Sequence, residues 1–254
     1  MTEKTVYLYD GTYSGLLTLL FRLSKKPDGQ LSIQEERLYQ PSLFEITRPI
    51  ATDPREAAWF LEHLKKAFSP QVLKNMFRVF LSNAPDRELL IWRYISFGFQ
   101  VKDDLDSFLT DQRVKPVHDY ARKVSGEAHR MRGLVRFRQL EDSSYYAPIK
   151  TDHYVLPLIT PYFSRRLNGK RWFIHDVARK KIAIYNGKRY QFADVVEFTP
   201  PVVSPQEKEY QAMWRHYFRD IAIGERTNLK VQRQFMPKRY WKYLTETEDI
   251  HSES

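Results

Sequence analysis

A chain of 254 residues, 42% hydrophobic and 15% aromatic, is long and apolar enough to fold around a core as one large domain or two modest ones. It contains no cysteine, which excludes disulfides, thiol-ligated zinc, iron–sulfur clusters and a cysteine nucleophile. Its net charge of +10 is unevenly placed: residues 1–121 hold 16 basic and 16 acidic side chains, residues 122–242 hold 25 and 11, and the last twelve carry −4.

Val6-Tyr7-Leu8-Tyr9 reads as a strand closed by the turn pair Asp10-Gly11, with Thr12 capping an apolar helix to about Ser24. Leu31 to Leu38 reads as a second strand. Asp53-Pro54 and Ser69-Pro70 are helix starts, each a capping side chain followed by a first-turn proline. Behind them Trp59, Phe60, Leu61, Leu64 and Phe68, then Val72, Leu73, Met76, Phe77 and Phe80, recur at helical spacing. Leu89 to Val101 makes a third helix carrying Trp92, Ile95 and Phe99. After Pro116 a helix is expected to about Met131, ended by Gly133. The period then changes to two across Leu134-Val135-Arg136-Phe137-Arg138, with Tyr145 to Ile149 as a hairpin partner. A helix at Val155–Leu167 precedes strands at Arg171–Val177 and Lys181–Tyr185, and Asn186-Gly187 signals a tight hairpin into Arg189–Phe192. Thr199-Pro200-Pro201 and Ser204-Pro205 form a connector to a last helical block, Gln206 to about Leu244. The expected class is α+β, with a helical N-terminal half, a mostly antiparallel sheet and C-terminal helices. The expected organisation is a neutral, largely helical subdomain opening with a strand (1–121), a basic α+β subdomain (122–244) and a disordered acidic tail (245–254). Trp92 and Trp172 sit in apolar patterns and are expected in the core.

Met1–Asp10 lacks the layout of a signal peptide, and the longest apolar run, Leu16–Phe21, is too short for a bilayer. A cytoplasmic protein without membrane contact is expected. Cations confined to one half mark a surface for a polyanion, nucleic acid above all. The densest basic element is His129–Arg138, containing Arg130, Arg132, Arg136 and Arg138. If the chain is extended after Gly133, Arg136 and Arg138 share a wet face ready for phosphate, while Val135 and Phe137 bury. The second basic element is terminal: Arg215 and Arg219 on one helix face, Arg226 and Asn228, then Pro237-Lys238-Arg239, where a helix start and two cations suit a phosphate.

Chemistry is less legible. His175-Asp176, followed by Arg179, is the best acid–base candidate, since imidazole titrates near neutral pH. Adjacent strand residues face opposite ways, so each needs its own partner. A structural histidine beside a strand-end salt bridge is the plainer account. Asp10, at the end of a strand, is a further candidate. There is no metal-ligand spacing and no GxGxxG, P-loop or GxSxG pattern, so no metal and no cofactor is expected.

In combination these residues resemble a bacterial family described in terms of DNA metabolism and DNA repair. The resemblance runs from Tyr9-Asp10-Gly11-Thr12 through His129-Arg130-Met131-Arg132-Gly133 and Arg136-Phe137-Arg138 to Leu156-Pro157 and Arg165-Arg166. It continues at Trp172, Ile174, His175-Asp176 and Arg179, and closes at Trp214–Phe218, Arg226, Asn228 and Met236-Pro237 with Arg239-Tyr240-Trp241. It implies a setting beside a radical-SAM protein or a uracil-DNA-glycosylase-type domain, and no catalytic roster of its own. The expectation is a DNA-binding accessory protein that presents damaged or modified DNA to such a partner. The alternatives are a nucleic-acid-processing enzyme using His175, Asp176 or Asp10, and an RNA-binding module.

Overall fold

The computed structural model describes residues 4–25, 31–42, 44–101, 104–221, 234 and 236–247. The chain falls into two compact units, residues 1–124 and 125–254. The class is α+β.

In the first unit, β1 (Lys4–Tyr9) leads to α1 (Tyr13–Lys25), β2 (Leu31–Glu35), β3 (Glu45–Pro49), α2 (Pro54–Ala67), α3 (Pro70–Phe80) and α4 (Arg87–Val101). The caps work as their residue types dictate. Thr12 Oγ1 accepts from the Gly15 amide at 2.9 Å, Asp53 Oδ1 from the Arg55 amide at 2.8 Å, and Ser69 Oγ from the Val72 amide at 3.3 Å. A third strand joins the two expected in this largely helical half, and the three form a parallel sheet in the order β2-β1-β3. β3 escapes sequence reading because it is an edge strand held by backbone bonds to β1, with four of its five side chains exposed and no alternation. The expected second strand stops at Glu35, and Glu36–Leu38 is a 3₁₀ turn. Trp92 is only half-buried. It lines an aromatic recess of about 520 Å³ with Phe21, Trp59, His63 and Phe99, while Ile91 and Ile95 take the core-facing positions of α4.

The long helix α5 (Lys115–Leu134) runs across the division between the units. In the second unit follow β4 (Arg138–Gln139), β5 (Tyr145–Ile149), α6 (Leu156–Arg166), β6 (Arg171–Asp176), β7 (Lys181–Asn186), β8 (Tyr190–Asp194) and α7 (Pro205–Ile221). The sheet order is β4-β5-β6-β7-β8, antiparallel except for β5 with β6, which α6 joins as a crossover. Ala147, Ile149, Trp172, Ile174, Ala183 and Tyr185 form the covered face, packed with Ala128, Met131 and Val135 of the α5 segment and Val155, Leu156, Ile159 and Phe163 of the α6 segment.

Gly133 does not break α5. Val124, Ala128, Met131 and Val135 keep helical spacing and are all buried, and the Val135 amide still reaches the Met131 carbonyl at 3.1 Å. Gly133 lies on the exposed side with open space around it. A glycine there costs about 1 kcal/mol, too little to outweigh that packing. The expected strand over 134–138 is therefore reduced to the two residues of β4. Of the terminal block, α7 is described over Pro205–Ile221, and Lys238–Tyr243 is a 3₁₀ segment whose Tyr240 and Trp241 are buried, so Pro237 does not open an α-helix there. Thr245–Thr247 is a 3₁₀ turn in which Thr245 and Glu246 are buried.

Candidate nucleic-acid interface

Two polar clusters occupy opposite ends of β6. The first gathers cations. α6 ends in Arg165-Arg166, cations that suit the negative end of a helix dipole. The turn after it contains Gly169 at φ +75°, and the β7–β8 hairpin turns at Gly187, φ +94°, followed by Lys188 and Arg189. Glycine at the first central position is what the tight hairpin geometry demands. Asn186 Oδ1 fixes the turn by accepting from the Lys188 and Arg189 amides at 3.0 and 2.9 Å. A side-chain carbon on Gly187 would lie 3.4 Å from the Gly169 carbonyl oxygen, so the two turns touch through glycine. The Tyr185 hydroxyl donates into the same junction, 3.0 Å from Asn168 Oδ1 and 2.9 Å from the Gly187 carbonyl.

Here opens a cleft of about 630 Å³, lined by Arg165, Lys188, Arg189, Tyr185 and Tyr190. No carboxylate lines it, and among the described residues none of its three cations is paired with one. Guanidinium and ammonium groups left without internal partners are open to phosphate oxygens.

The second cluster lies where β5 and β6 end. Asp176 is fully buried and takes the Arg179 Nη1 at 2.9 Å; the same guanidinium donates to the Thr151 carbonyl at 2.9 Å and to the Asp152 carbonyl. Burial pushes the Asp176 carboxyl up, and Arg179 opposes that shift. His175 is 3% exposed on the other face of β6, its Nδ1 2.8 Å from the Tyr146 hydroxyl and its ring against Phe198. Burial lowers its pKa, against the pull of Asp176. The two neighbours thus have separate partners, as their alternation requires. Arg179 acts as a staple between the ends of two strands.

The expected contact residues scatter accordingly. Arg165 lines the cleft and Arg166, next to it, is exposed. Arg130 is half-buried on α5 beside the Tyr240 hydroxyl, and Arg132 is exposed, its guanidinium 5.5 Å from the centre of the Tyr162 ring. Arg136 is not on a wet strand face. It follows α5, pairs through Nε and Nη2 with buried Glu246, and donates to the Gly133 carbonyl at 2.7 Å. Arg138 and Arg215 are half-buried and held in contacts of the fold. Arg239 pairs with Asp152 at 2.9 Å, while Lys238 is exposed, 5.9 Å from the centre of the Trp241 ring. Arg226 and Asn228 lie outside the described residues.

Asp10 stands at the end of β1. Partial burial raises its carboxyl, but hydrogen bonds from Thr12 and Thr52 outweigh this and hold it below the ordinary value. Its oxygens are occupied by those donors. His175 lies toward the far end of β6 from the cleft, about 13 Å from Arg171 at roughly 3.3 Å per strand residue. Sequence reasoning passed over Lys188, Arg189 and Tyr190. Their signal was present in the run Asn186-Gly187-Lys188-Arg189-Tyr190, where a turn signature displays two adjacent cations.

Among the described residues no group of three histidine, aspartate or glutamate side chains is placed to hold a metal, and no helix is long and apolar enough to cross a membrane. A family model described as Domain of unknown function (DUF4130) matches residues 85–246. The chain belongs to this family. The matched segment runs from α4 to the Glu246 that receives Arg136 and contains both clusters. No curated protein matches the chain. Among solved structures, the pGpG-specific phosphodiesterase PggH from Vibrio cholerae is similar over 77% of this chain and 83% of that one, with 10% identity and a TM-score of 0.32, too slight a likeness to bear on mechanism.

Proposed function

We propose that this DUF4130 protein is a DNA-binding accessory protein that presents damaged or modified DNA to a partner enzyme. The observation that carries the reading is the cleft with Arg165, Lys188 and Arg189 and no carboxylate. It lies in the segment where the cationic excess is concentrated. Backbone phosphates would take the guanidinium forks, a contact that positions DNA without reading its sequence. The partner expected from the family resemblance is a radical-SAM or uracil-DNA-glycosylase-type enzyme, in the cytoplasm. The accessory role is favoured over catalysis because His175 is buried against Tyr146 and Phe198, and Asp176 is clamped by Arg179.

The test has two arms. Fluorescence anisotropy with duplex DNA should give a log affinity that falls linearly with log salt, with a slope of about −0.9 per phosphate neutralised. Arg165→Glu/Arg189→Glu should weaken binding strongly at matched salt while leaving the thermal transition in place. Incubation with uracil-containing, ultraviolet-damaged and abasic DNA, divalent metal present, should leave every substrate intact until a partner is added. Partner-free base release or strand cleavage that disappears in His175→Ala would replace the accessory reading with an enzymatic one.

A further inference from the structure

We propose that the cleft and the rim of β8 beside it form a site for single-stranded nucleic acid, with unstacked bases lying on Tyr190 and Phe192; this rests on the reading of the cleft as a phosphate-binding surface. β8 is an edge strand all of whose side chains are exposed. Tyr190 and Phe192, two apart and so on one face of the strand, remain 43% and 42% exposed. Their ring centres are 5.9 Å apart at 62°, an edge-to-face pair that still leaves about two-fifths of each side chain exposed.

Large aromatics held in water at a strand edge lose the burial that normally justifies them, and Ala183, cross-strand from Phe192, is too small to cover it. Tyr190 also lines the cationic cleft, so a ring and three phosphate-seeking groups share one recess. A duplex keeps its bases stacked inside and offers such rings nothing. A single strand exposes a π-face on every base, which aromatic side chains accept without sequence preference. The recess has the volume of a pocket for a small ligand, which suits one or two nucleotides rather than the flank of a duplex.

The experiment compares a labelled oligothymidylate with a duplex of equal length, using the intact chain. Phe192→Ala should weaken single-strand binding by about 5- to 150-fold and leave duplex binding within about twofold, and Tyr190→Ala should weaken single-strand binding further. Arg165→Glu/Arg189→Glu should weaken binding of both substrates. If the Phe192 variant leaves single-strand binding unchanged, or weakens both substrates equally, this proposal fails while the cleft stands. If the charge variant weakens neither, the underlying reading fails. A measurement on the unaltered protein guards against a misfolded variant: a base-free sugar–phosphate strand of the same phosphate count should bind more weakly than oligothymidylate. Equal affinity for the two strands would overturn the proposal.

Discussion

The hydroxyl of Tyr240 donates to the carboxylate of Glu127 at 2.6 Å, across a sequence separation of 113 residues. The same carboxylate accepts from the Asp152 and His153 amides at 3.0 and 2.8 Å, so α5, the loop after β5 and the terminal 3₁₀ segment are joined at one buried group. Burial first, and the bond to Glu127 second, push the Tyr240 phenol up to about 12.

Removing the carboxylate strands two buried donors, the His153 amide and the Tyr240 hydroxyl, and one part-buried donor, the Asp152 amide. Glu127→Ala should therefore destabilise the protein by about 3–5 kcal/mol, the range for leaving buried polar partners uncompensated. Chemical denaturation read by tryptophan fluorescence checks it. A change under 1 kcal/mol would mean that water or relaxation replaces the carboxylate.

Arg136 and Glu246 make a second long-range tie, at one-quarter and almost no side-chain exposure. Arg136→Glu should cost about 2–4 kcal/mol, between the surface and buried ion-pair ranges, because it faces one carboxylate with another. The loss should appear as a lower denaturation midpoint, and Arg136→Glu combined with Glu246→Arg should recover part of it.

Trp172 has no exposed surface and packs between Phe137 and Tyr185. Trp172→Ala should cost about 3–5 kcal/mol, the usual result of deleting a large core aromatic. An unchanged thermal transition would contradict the packing described.

His175 gives stability a pH dependence. Its folded pKa is lowered by burial, whereas the unfolded chain takes up the proton near the ordinary value of about 6.5. The unfolded state then binds more protons below that pH, so the contribution is flat above about pH 7 and stability declines as pH falls from about 6.5 toward the folded value. His175→Asn, which preserves an acceptor for Tyr146, should flatten that part of the profile. Parallel melting curves for parent and variant between pH 8 and 5 would assign the decline elsewhere.

What could be read from the sequence was local. Asp53, Ser69 and Thr12 declare helix starts because a cap bonds within three residues, and Asn186-Gly187 declares its hairpin for the same reason. β3 declared nothing, since an edge strand needs only its backbone. Gly133 misled because its cost was weighed without the buried Ala128, Met131 and Val135 that hold the helix together. The site was legible in charge and not in place. Arg136 and Arg165 look alike in sequence, and only the fold shows that Glu246 occupies the first, while the second opens on a cleft without a carboxylate.

The contact between Gly169 and Gly187 has an evolutionary corollary. Neither residue carries charge, yet together they work as a gauge for how closely the cations at the end of α6 approach those at the hairpin tip. A mutational route that retunes grip on a polyanion is thus available without touching a single arginine or lysine. A β-branched side chain at position 187 would oppose the left-handed backbone, so the hairpin tip would have to rearrange beside the Gly169 carbonyl and the field in the cleft would change while the formal charge of the protein stayed the same.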